Sequence, residues 1–321
     1  MSCVTLRSIR VENFGRFYDP AELIFNDRIS TVVLEQSKGK TTIVNALEFL
    51  SEIVLEGRIK CSYLNYCNTY PEKSKGFVGF ELLIHISDSS HNGEYRYGIK
   101  INGQGILEEY LIKESTQRRI FYRNKNHFEL NDRNDEILQY VTKDLNAKTS
   151  VMHLLCCLDC GIYPYFTRFF QRLWIIRVGS INSGLSASQL FKSDLFTKRQ
   201  NVKNCCNFMR MIDPTVRDMT RVPNSSVVSV IHKSPGGYDY PVSLSKESDT
   251  FIKFLALYRA IDALSTYGGL IIMDVGDFNV PKLLFDYLKD NTYRGLGLIV
   301  FTFDYGFGER MYIKSAENVG F

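Results

Sequence analysis

The sequence predicts an α/β protein with a mixed central sheet, an inserted antiparallel β meander and a helical lobe. Three observations predict it. A β-branched apolar run at residues 29–34 leads through a short polar turn into a helical pattern that reaches residue 50. Residues 77–130 are dominated by period-two runs separated by turn residues, as neighbouring antiparallel strands are. Near the C-terminal end, two all-apolar runs, Leu270-Ile271-Ile272-Met273 and Leu298-Ile299-Val300-Phe301, alternate with helical patterns. Central parallel strands read this way because both of their faces are covered.

Taken in order, residues 6–14 alternate polar and apolar as a half-buried strand should, and a second strand near 22–25 leads into the third, a compact β-β-β-α opening. The third run contains Ile29, Thr31, Val32, Val33 and Leu34, and Ser37-Lys38-Gly39-Lys40-Thr41-Thr42 follows it. A helix with Ile43, Leu47 and Leu50 on one face comes next. Strand, tight turn and helix in that order is what an anion-binding loop needs: backbone N–H groups and the helix's positive end converge on the anion, and a lysine adds a point charge. The chain is therefore expected to hold a nucleotide through Gln36, Ser37, Lys38, Gly39, Lys40, Thr41 and Thr42.

The meander comprises runs at 77–86, 95–101, 107–112, 119–122 and 128–130. From 132 to about 208 the period shifts toward helix, with long loops around 179–188. A basic stretch at 192–203 reads as a solvated helix face; a nucleic-acid contact through Lys192, Lys198, Arg199 and Lys203, or more weakly Arg118-Arg119, is the alternative. Residues 219–240 return to strand character before the turn at Pro235-Gly236-Gly237. Leu244-Ser245-Lys246-Glu247-Ser248 opens an apolar helix carrying Phe251, Leu255, Ile261 and Leu264. A buried strand ending in Asp274, a helix from Pro281 and a last apolar strand ending at Thr302 complete the chain. This divides it into an α/β lobe of residues 1–60 and 265–321, a β insertion at 77–131 and a helical lobe at 132–264.

A chain of 321 residues can bury a sizeable core, and 45% hydrophobic with 23% charged residues is a soluble, globular balance. The formal charge of +4 is too small to argue for nucleic acid by itself. No stretch offers the roughly 20 apolar residues that cross a bilayer, and the start lacks a signal peptide's apolar block, so a cytoplasmic location is expected. Eight cysteines in such a chain read as reduced thiols rather than bridges. Cys157 and Cys160 form a CxxC, but within an apolar run at 151–158 that reads as a buried helix. Adjacent Cys205-Cys206 chelate one tetrahedral ion poorly, so structural thiols are expected rather than a metal or redox site.

Together these pieces resemble the ATPase heads of the ABC class found in SMC, RecF and Rad50 proteins, and specifically the bacterial AAA15-type ATPases linked with defence against phage. Ile9-Arg10-Val11-Glu12-Asn13-Phe14-Gly15 resembles the family's opening strand, Gly39-Lys40-Thr41 the end of its Walker A loop and Leu244-Ser245 the start of its signature motif. Ile271-Ile272-Met273-Asp274 is similar to the Walker B strand, Asp277 falls at the D-loop carboxylate and Phe301-Thr302 begins the switch strand. The resemblance implies a P-loop NTPase fold of ABC/SMC-head type with ATP and Mg²⁺ as cofactors. By it, Lys40 reaches the β- and γ-phosphates, and Thr41 coordinates Mg²⁺ with Asp274 behind it. Ser245 and its helix N-terminus cap the γ-phosphate of a partner subunit, so that nucleotide joins two heads as a homodimer or higher homo-oligomer.

Several residues depart from the family pattern. Leu34 stands at the first Walker A glycine, Glu247 at the signature glycine, Val275 at the glutamate that polarises water and Asp304 at the switch histidine. Glu247 would set a carboxylate where a partner's γ-phosphate approaches, and valine can neither accept a proton nor orient water. The expected function is a nucleotide-dependent sensor or scaffold in an anti-phage or DNA-associated complex, with weak or absent hydrolysis and a separate effector protein. The alternatives are a working ATPase that recruits Asp274, Asp277 or Asp304, and an interaction module that no longer binds nucleotide.

Overall fold

A computed structural model describes residues 3–25, 29–33, 39–59, 76–125, 127–131, 135–158, 160–177, 196, 198–221, 227–265, 268–274, 296–302 and 314–315. Two sheets form the frame. Strand β1 (Cys3–Glu12) pairs antiparallel with β2 (Ala21–Ile24) on one side and with β4 (Val78–Ser87) on the other. The sheet then runs on through β5 (Asn92–Asn102), β6 (Gly105–Lys113), β7 (Arg118–Asn124) and β8 (His127–Leu130). A short β15 (Lys314–Ser315) pairs with β2 at the far edge.

The meander expected from the period-two runs is thus present, but it continues the sheet begun by β1 rather than being inserted into another. The β-β-β-α order of the opening is present as well, but it is split between sheets, because β3 (Ile29–Val33) belongs to the second one. Alternation explains the split. β1 and the meander strands have one apolar and one polar face, which suits a sheet solvated on one side; Val78, Phe80, Leu82, Ile84 and Ile86 of β4 all point into the core.

The second sheet has the order β3, β14 (Leu296–Thr302), β13 (Gly269–Asp274), β9 (Leu173–Arg177), with every described pair parallel. Among the described residues this central sheet is therefore purely parallel rather than mixed. The β9 strand lies inside the segment whose period read as helix. Five residues are too few for periodicity to separate a buried strand from a buried helix turn.

Each face of the parallel sheet closes a different core. Leu270, Ile272 and Ile299 join the core made with helix α1 (Lys40–Glu56), the apolar face of the antiparallel sheet and helices α3 (Val151–Cys156) and α4 (Tyr163–Gln171). A further helix, α2 (Asp135–Asp144), packs beside α3. Ile271, Met273, Leu298 and Ile176 join the other core, with α5 (Arg199–Met209), α6 (Asp249–Ser265) and a small antiparallel sheet of β10 (Val216–Arg221), β11 (Val228–Lys233) and β12 (Asp239–Ser243). Ile271 and Ile272 are both 0% exposed, on opposite faces. Each such burial contributes about 1.5–3 kcal/mol, which is why an uninterrupted apolar run is stable here. No helix among the described residues is long and apolar enough to cross a membrane.

Candidate functional site

Helix α1 starts where the anion-loop pattern requires. Its N-cap is Gly39, with φ 96° and ψ 14°, a left-handed conformation that side chains resist. A Cβ at this position would also lie 2.3 Å from Cζ of Phe17. Gly39→Ala is therefore expected to destabilise the fold by about 1–3 kcal/mol, read as a lower denaturation midpoint at unchanged m-value. Glycine has no side chain to cap the helix, and the first turn carries no acidic residue, so its N–H groups meet no carboxylate from their own helix. Lys40 is 6% exposed at the first helical position, Thr41 is exposed and Thr42 is buried.

The turn at 14–17 covers this helix start. Phe14 and Phe17 exchange both backbone hydrogen bonds, at 2.9 and 3.0 Å. Gly15 takes φ 56° at the first central position of this two-residue turn, and a Cβ there would sit 2.6 Å from Oγ1 of Thr42. The Arg16 N–H donates to the same Oγ1 at 3.5 Å, so Thr42 packs under the hairpin. The sequence places Gly15 only at the end of the opening-strand match and gives no role to Arg16 or Phe17; two aromatics flanking Gly15-Arg16 just after a strand were the available signal.

Asp274 ends β13, in register with Phe301 of β14 and Arg177 of β9, and Phe301 is in register with Val32 of β3. Asp274 and Val32 thus share one rung two strand spacings apart, roughly 10 Å. Ile272 faces the α1 core, so Asp274, two residues on, projects to the same side. Arg177 does likewise and pairs with Glu48 of α1. The carboxyl ends of β3 and β13 therefore share one edge of the parallel sheet, where open α/β sheets bind ligands, and α1 follows β3 closely in the chain. Gly39, Lys40, Thr41 and Thr42 stand together at the start of α1, and Asp274 stands at the end of β13. Gln36, Ser37, Lys38, Val275, Asp277 and Asp304, like the helix expected from Pro281, lie outside the described residues.

Ser245 is placed differently from expectation. It lies exposed in a 3₁₀ turn, Leu244–Lys246, with its hydroxyl 2.9 Å from that of Ser243. Helix α6 begins only at Asp249, and its cap is Ser248, whose hydroxyl accepts the Phe251 N–H at 3.2 Å. Glu247 explains the delay: its backbone is extended, with φ −67° and ψ 157°, and its side chain is drawn inward. Oε1 of Glu247 lies 2.8 Å from Nε2 of His232, which is 4% exposed. Nδ1 of His232 faces Thr215 Oγ1 at 2.8 Å and Asp213 Oδ2 at 3.5 Å, and the ring stacks on Tyr240. The carboxylate expected on the signature face is thus turned away, and that segment exposes Ser245, Lys246 and the cap residue Ser248. Nothing in the sequence pairs His232 with Glu247, because the partners meet only where β11 packs against the 3₁₀ turn Leu244–Lys246.

The basic stretch resolves as a solvated face of α5. Lys198, Arg199 and Lys203 are exposed, Arg199 is paired with Asp218 at 2.6 Å, and Lys192 lies outside the described residues. Cys156, Cys157, Cys160, Cys205 and Cys206 are free thiols, and among the described residues no group of three or more His, Cys, Asp or Glu side chains has metal-binding geometry. Comparison of the chain with protein-family models and with curated proteins finds no match.

Proposed function

We propose that the chain binds ATP with Mg²⁺ at the start of α1 and works as a P-loop ATPase-type head of the ABC/SMC class, of AAA15 type, in a bacterial defence or DNA-associated complex. The observation that carries this reading is the left-handed Gly39, which starts α1 at Lys40 and Thr41 shortly after β3, the strand whose carboxyl end lies at the same sheet edge as Asp274. The residues fit the group. The first-turn N–H groups and the helix dipole suit phosphate oxygens, Lys40 adds a cation, and the exposed Thr41 hydroxyl and Asp274 carboxylate suit the coordination sphere of Mg²⁺. When bound, Mg²⁺ neutralises charge on the β- and γ-phosphates.

The exposed pair Ser245 and Lys246, with Glu247 withdrawn, supports a nucleotide-bridged homodimer, since that segment offers an anion a hydroxyl and a cation. Valine at position 275 supports slow or absent hydrolysis, and with it a sensor or scaffold that acts on a separate effector.

Titration calorimetry with ATP and Mg²⁺ tests this. The parent chain is expected to give saturable heat, and Lys40→Ala to bind roughly 100-fold more weakly, about 3 kcal/mol, through loss of a charge-assisted contact. A parent chain without saturable heat would leave only the interaction-module alternative. Phosphate release is expected to be equally slow in parent and Lys40→Ala; a clearly faster parent would make this a working ATPase using other carboxylates.

A further inference from the structure

We propose that Cys157 is a base-activated thiol, a covalent-modification site for small disulfides and other soft electrophiles, with His153 as its proton acceptor. The run at 151–158 is not one buried helix: α3 ends at Cys156, and Cys157 and Cys160 are exposed beyond it. His153 lies one helical turn before Cys157. Its Nδ1 is 2.9 Å from the carbonyl oxygen of Val54, which can only accept. Nδ1 therefore carries the ring hydrogen, and Nε2 presents its lone pair, 3.9 Å from Sγ of Cys157.

Helix α1 sets this ring's position. The Val54 carbonyl is among the last four of α1, which have no donor within the helix, and the end of a helix favours a positive charge. Gly57 makes room for the imidazole, since a Cβ there would lie 2.3 Å from its Cδ2. The result is a thiol, a base within reach and a third group orienting the base, the arrangement that activates a nucleophile. Two charged groups on the neighbouring elements are engaged elsewhere. Glu109 of β6 bonds Ser150, Val151 and Met152 at the opposite end of α3, and Arg168 of α4 lies over the Tyr165 ring. Cys156, Cys205 and Cys206 are unsuited to reaction: burial pushes Cys156 and Cys206 up to about 11, and raises Cys205 further.

In the step itself, the Cys157 proton moves to Nε2 of His153 and the thiolate attacks one sulfur of a small disulfide. A new S–S bond forms as the old one breaks, and the departing thiolate takes the proton back from the imidazolium. One protein thiol and one disulfide become one mixed disulfide and one small thiol.

Iodoacetamide labelling with peptide mass mapping tests the proposal, with Cys160 as the internal control. At about pH 6 an ordinary thiol is almost wholly protonated, so Cys157 is expected to label about tenfold faster than Cys160. His153→Asn keeps a side-chain N–H for the Val54 carbonyl but removes the basic ring nitrogen, and should bring Cys157 down to the rate of Cys160. Equal rates at the two cysteines in the parent chain, a result that needs no variant to fold, would overturn the proposal; so would a rate ratio unchanged by His153→Asn.

Discussion

Replacing Glu109 with alanine is expected to destabilise the fold by about 3–5 kcal/mol, seen as a lower denaturation midpoint at unchanged m-value. The carboxylate is 0% exposed and accepts four hydrogen bonds: from the Tyr97 hydroxyl at 3.0 Å, the Ser150 hydroxyl at 2.7 Å and the N–H groups of Val151 at 2.8 Å and Met152 at 3.0 Å. Alanine leaves all four donors in a dry site. It also removes the nearby counter-charge of Arg123, itself 0% exposed, which donates to the carbonyls of Lys125 at 2.6 Å, Asn146 at 2.7 Å and Thr149 at 2.5 Å. Burial pulls the Arg123 guanidinium below its ordinary pKa and Glu109 opposes that shift. The Tyr97 phenol is held well above its ordinary range, by burial first and by Glu109 second, so it remains a donor. Glu109→Gln should fall between parent and alanine; a glutamine variant as stable as the parent would show that the charge contributes nothing.

His232→Ala is expected to cost a similar amount, about 3–5 kcal/mol, because it leaves the Glu247 carboxylate buried without its partner. The pair is closed from solvent on both sides, with side chains 5% and 10% exposed. Loss of the ring also removes its contacts with Tyr240 and Phe251. The informative measurement is the double-mutant cycle. His232→Ala combined with Glu247→Ala should be less destabilised than the sum of the two single changes, since the second removes the group that the first stranded. Strict additivity would mean that the two residues do not act as a pair. Because Glu247 stands just before the α6 cap, the same cycle reports on what keeps the carboxylate off the face that exposes Ser245 and Lys246.

Much of the frame was legible because it rests on local pattern. The β13 and β14 runs read as covered parallel strands, since neither of their faces can tolerate water, and the turn at Gly39 read as a helix start, since glycine before a lysine and an apolar stripe allows little else. The β9 strand was not legible: Leu173 to Arg177 is too short to display a period, and only hydrogen bonding to β13 makes it a strand. The Cys157–Cys160 pair was misread for a related reason. An apolar run shows that something is buried, but not at which residue the helix stops.

The sequence by itself determined where the chain alternates, where it is apolar on both faces, and that a helix starts close to Gly39 after a strand, because these follow from side-chain chemistry at fixed local spacing. Only the tertiary structure decided that β1 joins the meander while β3 joins β14, that Asp274 shares a rung with Val32, and that Glu247 turns inward to His232. Those outcomes depend on which distant segments satisfy each other's backbone and charged groups, and local periodicity carries no information about such partners.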